Sequence, residues 1–167
     1  KEVIVKVQSG ENWHQFVLWC LKNNYGGVEN LALIPGKVGA APIQNIGAYG
    51  VEIKDVFLSC NTLELSSLTF KEFNPDECSF GYRDSVFKSK LKGKYIITSV
   101  TLKLQKYPHK VNVSYGNLEK ILKGKKKTIQ NIAESVIKIR SSKLPDPKII
   151  GNCGSFFKNP IISKSQL

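Results

Sequence analysis

The 167-residue chain contains no methionine and begins at Lys1. Neither fits an ordinary translation start, and no signal-peptide pattern is present. The sequence is therefore expected to lack its natural beginning. No apolar run approaches the roughly 20 residues of a membrane span, so the chain reads as soluble, without a membrane partner. Histidine occurs only as His14 and His109. The four cysteines, Cys20, Cys60, Cys78 and Cys153, form no C-x-x-C pair and do not cluster with either histidine. A zinc or other metal site is not expected, nor are disulfides in a cytoplasmic chain of this size. Acidic residues are scarce, 13 against 25 basic ones, for a net charge of +12. Such an excess could attract an anionic partner. The lysines, however, are spread along the chain. The densest run, Lys123 to Lys127 interrupted by Gly124, reads as an exposed turn before a helix. No basic stretch interleaves with stacking aromatics, so a nucleic-acid partner is not expected. Internal repeats and low-complexity tracts are also missing.

What is present is a hydrophobic content of 41%, enough for one real core. Val3, Val5 and Val7 alternate as a strand does. Ser9 is a candidate helix cap. Trp13, Phe16, Val17, Cys20 and Leu21 then follow the i, i+3, i+4, i+7, i+8 spacing of one helical face, with Gly26 and Gly27 as its stop. Cys20 on that face reads as a core filler. Val56 to Leu65 and Leu68 to Phe73 read as short strands, and Tyr95 to Leu104 as a longer one rich in Ile, Thr and Val. Pro108 marks a candidate domain edge. A short strand is expected at Val111 to Ser114. Thr128 can cap a helix carrying Ile129, Ile132, Ala133, Val136, Ile137 and Arg140 on one side, and Pro145 and Pro147 stop it. Several strands with two good helices, without regular alternation, argue for an α+β fold.

Three stretches carry chemistry. Pro35 to Gly50 (PGKVGAAPIQNIGAYG) is rich in Gly and Ala and exposes backbone, so that successive N–H groups can cradle phosphates or ring carbonyls. It is not the G-x-G-x-x-G fingerprint, and a plain connection between strands is the competing reading. Gly81-Tyr82-Arg83-Asp84-Ser85 suggests a tight turn presenting a planar guanidinium, suited to a substrate carboxylate. An ordinary Arg–Asp surface pair would explain it as well. Lys143 to Pro160 (KLPDPKIIGNCGSFFKNP) places Ser155 between Gly-rich and apolar residues. Such a serine can donate a proton or a hydrogen bond, or simply satisfy a turn. No histidine stands near it, and G-x-S-x-G is not matched, which disfavours acyl transfer.

In order and spacing, these three stretches together resemble the UDP-N-acetylenolpyruvoylglucosamine reductase family, with Val113-Ser114-Tyr115-Gly116 similar to the tyrosine loop of its type I branch. The resemblance covers essentially the whole chain. It implies the second part of a two-subdomain FAD-binding domain of the vanillyl-alcohol-oxidase (PCMH) type in residues 1–107. Residues 108–167 would be a linker helix and the opening of the substrate-binding domain. It further implies non-covalent FAD held by Ile43, Asn45, Ile46, Gly47, Ala48, Tyr49 and Gly50, with NADPH as co-substrate. The implied substrate is UDP-N-acetylglucosamine enolpyruvate, reduced by hydride from the flavin during cytoplasmic peptidoglycan precursor synthesis. Arg83 matches the arginine that stabilises the enolate-like charge, and Ser155 the serine that donates the proton. Tyr115, Lys143 and Asn159 match residues that hold the UDP-sugar. No obligate protein partner is implied.

The family's other flavin subdomain, with its own phosphate loop, and a third catalytic residue, a glutamate near the C-terminus, have no counterpart here. A partial chain, inactive by itself, is the expectation. Cys153 replaces a small residue next to Ser155 and would bring an oxidisable thiol there. The alternatives are an FAD-linked oxidase of the same fold acting on another substrate, and a basic binding module without catalysis.

Overall fold

The computed structural model describes residues 1–143, 145, 146, 149–151 and 157–166. Strand β1 (Glu2–Gln8) leads into helix α1 (Trp13–Lys22), and a long irregular segment follows. That segment contains 3-10 turns at Glu29–Leu31 and Val38–Ala40 and ends in a small hairpin, β2 (Gly47–Ala48) with β3 (Val51–Glu52). Then come β4 (Phe57–Glu64), β5 (Phe70–Phe73), the one-turn helix α2 (Pro75–Cys78), β6 (Tyr95–Gln105), the short α3 (Leu118–Ile121) and α4 (Ile129–Lys143). The main sheet is antiparallel with order β1-β6-β4-β5. Its register runs from Glu2 opposite Gln105 to Gln8 opposite Ser99, and from Phe57 opposite Leu102 to Glu64 opposite Tyr95. The architecture is α+β.

Helix α1 forms where apolar periodicity and a good cap coincide. Asn12 Oδ1 accepts the Gln15 N–H at 3.0 Å, so Asn12 and not Ser9 is the cap. Ser9 is tied to the sheet instead, its N–H donating to Thr98 O at 2.9 Å and its carbonyl accepting from Gly39 N at 3.0 Å. The helix closes at Asn23, ahead of Gly26 and Gly27, because Asn24 supplies the left-handed turn (φ 58°). Gly26 then pairs in extended fashion with Gln105. Gly27 (φ 120°) lies so close to Val56 that an added Cβ would stand 2.9 Å from its Cγ1.

Trp13, Phe16, Val17 and Cys20 are buried, each contributing on the order of 2 kcal/mol of apolar burial. Trp13 also donates from Nε1 to Leu31 O at 2.9 Å, pinning the irregular segment to the helix. Trp19, six residues on, is 44% exposed and packs against Tyr25 at 5.7 Å between ring centroids. Helix α4 is capped by Thr128, whose Oγ1 accepts the Asn131 N–H at 3.2 Å. Its buried Ile132, Ala133 and Val136 join the same apolar cluster as Val100, Leu102 and Leu104 of β6 and Leu31. Residues on both sides of Pro108 thus share one core.

The strand expected at 111–114 is absent. Asn112 Oδ1 accepts both the N–H and the Oγ–H of Ser114, at 3.1 and 2.8 Å. This local side-chain turn competes with extended pairing. The lysine run after Leu122 is exposed and precedes α4, as expected.

Candidate functional site

The Gly- and Ala-rich stretch folds as a connected cradle held from three sides. Asn45 is fully buried with φ 44°. Its Nδ2 donates to Gly81 O at 2.9 Å and Glu52 Oε2 at 3.0 Å, and its Oδ1 accepts the Lys54 N–H at 3.2 Å. The Asn45 side chain is thereby committed to the protein, and so is its backbone, whose N–H donates to Pro42 O at 3.3 Å. Ser85 donates from Oγ to Ile43 O at 2.6 Å, which fastens the turn at 81–85 to the cradle. At the far end the β2–β3 tip turns through Tyr49 (φ 49°) and Gly50 (φ 78°). Among the described residues no protein acceptor takes the N–H groups of Tyr49 and Gly50. They are open to a ligand or solvent.

Arg83 reaches into this cradle from a tight turn. Gly81 and Asp84 exchange backbone hydrogen bonds at 3.0 and 3.3 Å, and Arg83 takes the left-handed region (φ 53°). For a side chain of this size that conformation costs about 1–3 kcal/mol and is typical of functional turns. Its Nη2 donates to Gly47 O at 2.6 Å, and its Nη1 to Glu52 Oε1 at 3.3 Å and Asn45 O at 3.5 Å. Tyr82 lies beneath the guanidinium at 5.1 Å. The acidic partner of Arg83 is therefore Glu52, not the adjacent Asp84, whose Oδ1 accepts the Ser85 N–H. Gly47 makes the approach possible, since a Cβ there would lie 2.5 Å from Arg83 Nη1 and 2.9 Å from Glu52 Cγ.

Two asparagines join this cradle to the loop that follows β6. Asn30 Nδ2 donates to Tyr49 O and Asn112 O, both at 2.9 Å, and Asn112 Nδ2 donates to Gly50 O at 3.0 Å. Tyr115 is mostly exposed and sits beside the tip, where a Cβ on Gly50 would come within 3.2 Å of its own Cβ. Asn30 Oδ1 is buried and finds no partner among the described residues. Next to it, burial pushes the Glu29 carboxyl up, opposed by N–H groups that include Gly27 at 2.6 Å and by the nearby His109. Burial likewise raises the Tyr49 phenol, against the pull of Arg140, whose own guanidinium is held down by burial. Arg140 Nε donates to Leu33 O at 3.3 Å and so ties α4 to the cradle.

Ile43, Asn45, Ile46, Gly47, Ala48, Tyr49, Gly50, Arg83 and Tyr115 are thus brought together. Lys143 is exposed at the end of α4, and Asn159 is exposed in the 157–160 segment. That segment reaches the Arg83 turn, with Lys158 Nζ 5.2 Å from the Tyr82 ring centroid. Ser155 and Cys153 lie outside the described residues. Sequence reasoning missed Glu52, Asn30 and Asn112. Only Asn30 carried a local signal, a Glu-Asn pair inside an apolar run, which is a pattern of buried polar residues.

The cradle suits a phosphate-bearing ring cofactor such as FAD. The tip N–H groups are open, Gly47 and Gly50 admit no side chain, and a buried acceptor in Asn30 stands unpaired nearby.

A family model described as an FAD binding domain matches residues 1–65. The chain is 55% identical over 166 residues to the UDP-N-acetylenolpyruvoylglucosamine reductase of Flavobacterium johnsoniae, covering 98% of this chain and 49% of that protein. Its identity to the enzyme of the same name from Aliivibrio fischeri is 50% over 163 residues, covering 98% of this chain and 46% of that one. The crystal structure of UDP-N-acetylenolpyruvylglucosamine reductase (MurB) from Thermus caldophilus superposes with a TM-score of 0.62 at 24% identity, covering 84% of this chain and 44% of that one. That likeness establishes the fold. The chain spans about half the length of the curated relatives it matches.

Proposed function

We propose, on the premise that this chain is homologous to the UDP-N-acetylenolpyruvoylglucosamine reductases over nearly its whole length, that it supplies the cofactor cradle and one catalytic arginine of such an enzyme. The complete enzyme would reduce the enolpyruvyl group of UDP-N-acetylglucosamine enolpyruvate to UDP-N-acetylmuramate. FAD, reduced by NADPH, supplies the hydride in this reaction. Residues 1–107 would belong to the FAD-binding domain and residues 108–167 to the start of the substrate-binding domain, the two sharing one core. Nucleotide sugars and NADPH are cytosolic reagents, so the reaction is assigned to the cytoplasm.

The observation that carries the reading is the guanidinium of Arg83, fixed against the carbonyls of Gly47 and Asn45 at the cradle. The backbone of residues 43–50 would hold the cofactor. Arg83 would face the substrate carboxylate and stabilise the negative charge that develops on the enolpyruvyl group. The fork is already oriented, so little reorganisation is needed as charge builds. Ser155 would donate the proton to the neighbouring carbon. A hydroxyl does this only if its conjugate base is stabilised by nearby donors. Tyr115, Lys143 and Asn159 would hold the UDP-sugar, the lysine as a point charge on the diphosphate.

The test is made on the full-length product of the reading frame that contains this chain. The purified protein should carry FAD, be reduced by NADPH, and be reoxidised by the enolpyruvyl UDP-sugar. Arg83→Ala should slow reoxidation about 10²- to 10³-fold, the loss seen when one preorganised charge-stabilising donor is removed, and Ser155→Ala should also slow it. Absence of flavin, or reoxidation indifferent to the sugar, would sink the proposal. Reoxidation by oxygen with a different reduced substrate would point to an oxidase of the same fold.

A further inference from the structure

Arg83 does not orient itself. A guanidinium carries five N–H donors. Three protein contacts engage them, two at Nη1 (Glu52 Oε1 and Asn45 O) and one at Nη2 (Gly47 O). Among the described residues, Nε–H and the second Nη2 proton have no acceptor. Nε–H lies beside Nη2 on one edge of the planar fork, and such an edge can grip a carboxylate through two parallel hydrogen bonds. The Arg83 side chain is 31% exposed and that of Glu52 22%, so the pair is neither sealed nor free in solvent.

We infer that Glu52 is a positioning residue for Arg83. Its carboxylate occupies the Nη1 side of the guanidinium and so turns the Nε–Nη2 edge toward the substrate carboxylate. This inference rests on the function proposed above.

Glu52 is well placed for the task because it is itself held at both ends. Its Oε2 accepts from Asn45 Nδ2 at 3.0 Å and from Lys54 Nζ at 2.9 Å. Its backbone N–H donates to Asp55 Oδ2 at 2.8 Å, at the start of the turn at Ile53–Asp55. Oε1 is thereby left for Arg83. A neutral amide cannot reproduce this arrangement. If its oxygen faced Arg83, its NH2 would point at two other donors, and the reverse orientation would turn that NH2 toward Arg83 Nη1, which would keep only the carbonyl of Asn45. The Arg83 backbone is already in the left-handed region, so the side chain needs an anchor to keep one direction.

The experiment separates the two half-reactions of the full-length holoenzyme by stopped-flow absorbance of the flavin. Reduction by NADPH does not involve the enolpyruvyl carboxylate, whereas reoxidation by the sugar substrate does. Glu52→Gln should leave FAD content and the rate of reduction within about twofold of wild type. It should slow reoxidation about 10- to 100-fold, the scale of a small misplacement of a reacting group. Placed in an Arg83→Ala background, the same substitution should add no further loss, because Glu52 acts through Arg83. Unchanged reoxidation in Glu52→Gln overturns the inference. So does a parallel fall of both half-reactions with loss of FAD, which marks a merely structural carboxylate, and so does an additive loss in the double variant. A wild-type enzyme that the sugar fails to reoxidise removes the functional reading itself, and is recognised before any variant is made.

Discussion

His14 shows how one half-buried ring couples the cradle's supporting segment to proton concentration. Its Nδ1 accepts the Leu33 N–H at 3.1 Å, which requires a neutral imidazole protonated at Nε2. Burial holds its pKa below the ordinary value of 6.5. The folded value is the lower one, so the unfolded chain takes up the proton first as pH falls. The stabilisation is complete above about pH 6.5 and is lost as pH drops from there toward the folded value. Urea unfolding at about pH 8 and about pH 5.5 should show a wild-type midpoint that falls on acidification. His14→Asn, whose Oδ1 can accept the same N–H without titrating, should fall less. Identical pH dependence in the two proteins would remove His14 from this role. At the same scale, the roles of Glu52 and Asn112 were invisible in the sequence. Their partners stand 31 and 62 residues away, and nothing in the local pattern announces contacts of that range. Arg83 was legible as a turn-borne arginine, but its acidic partner was not.

At the scale of elements, helix α1 and the irregular segment over it depend on one indole. Trp13 is 1% exposed, and its Nε1–H satisfies Leu31 O. Trp13→Phe removes part of a packed ring and leaves a buried carbonyl unpaired, a loss of about 2–3 kcal/mol. It should appear as a lower denaturant midpoint at unchanged slope, and a change under about 0.5 kcal/mol would contradict the assignment. The strands β1, β4, β5 and β6 and the helices α1 and α4 were readable because each presents enough residues for a period of 2 or 3.6 to emerge. The β2–β3 hairpin was not, since two-residue strands have no period. The missing strand at 111–114 failed for a different reason. Val111 and Val113 alternate correctly, but Asn112 between them curls the backbone through its own side chain. The helix boundaries moved by a few residues because Asn12 and Asn24 outcompeted Ser9 and the glycine pair as terminators.

At the scale of the whole molecule, among the described residues, the excess of lysine coats the surface while the cysteines are sequestered in one core. Cys20, Cys60 and Cys78 are all buried and unpaired. Burial, with the neighbouring Glu29, pushes the Cys20 thiol up to about 12. The hydrogen bond that the Cys60 thiol donates to Cys78, together with burial, raises that of Cys60. Since thiolates are the reacting species, native protein at neutral pH should resist alkylation at these three positions. All three should label together once denaturant passes the unfolding midpoint, as read by peptide mass spectrometry. Rapid labelling of any one in native conditions would reveal a local opening that this packing does not provide. Helix α1 has one more property at this scale. The chain's two tryptophans both stand on it, Trp13 in the dry interior and Trp19 half in water beside Tyr25. The intrinsic fluorescence of this chain is therefore the sum of a shielded and an accessible emitter only six residues apart on one rigid rod.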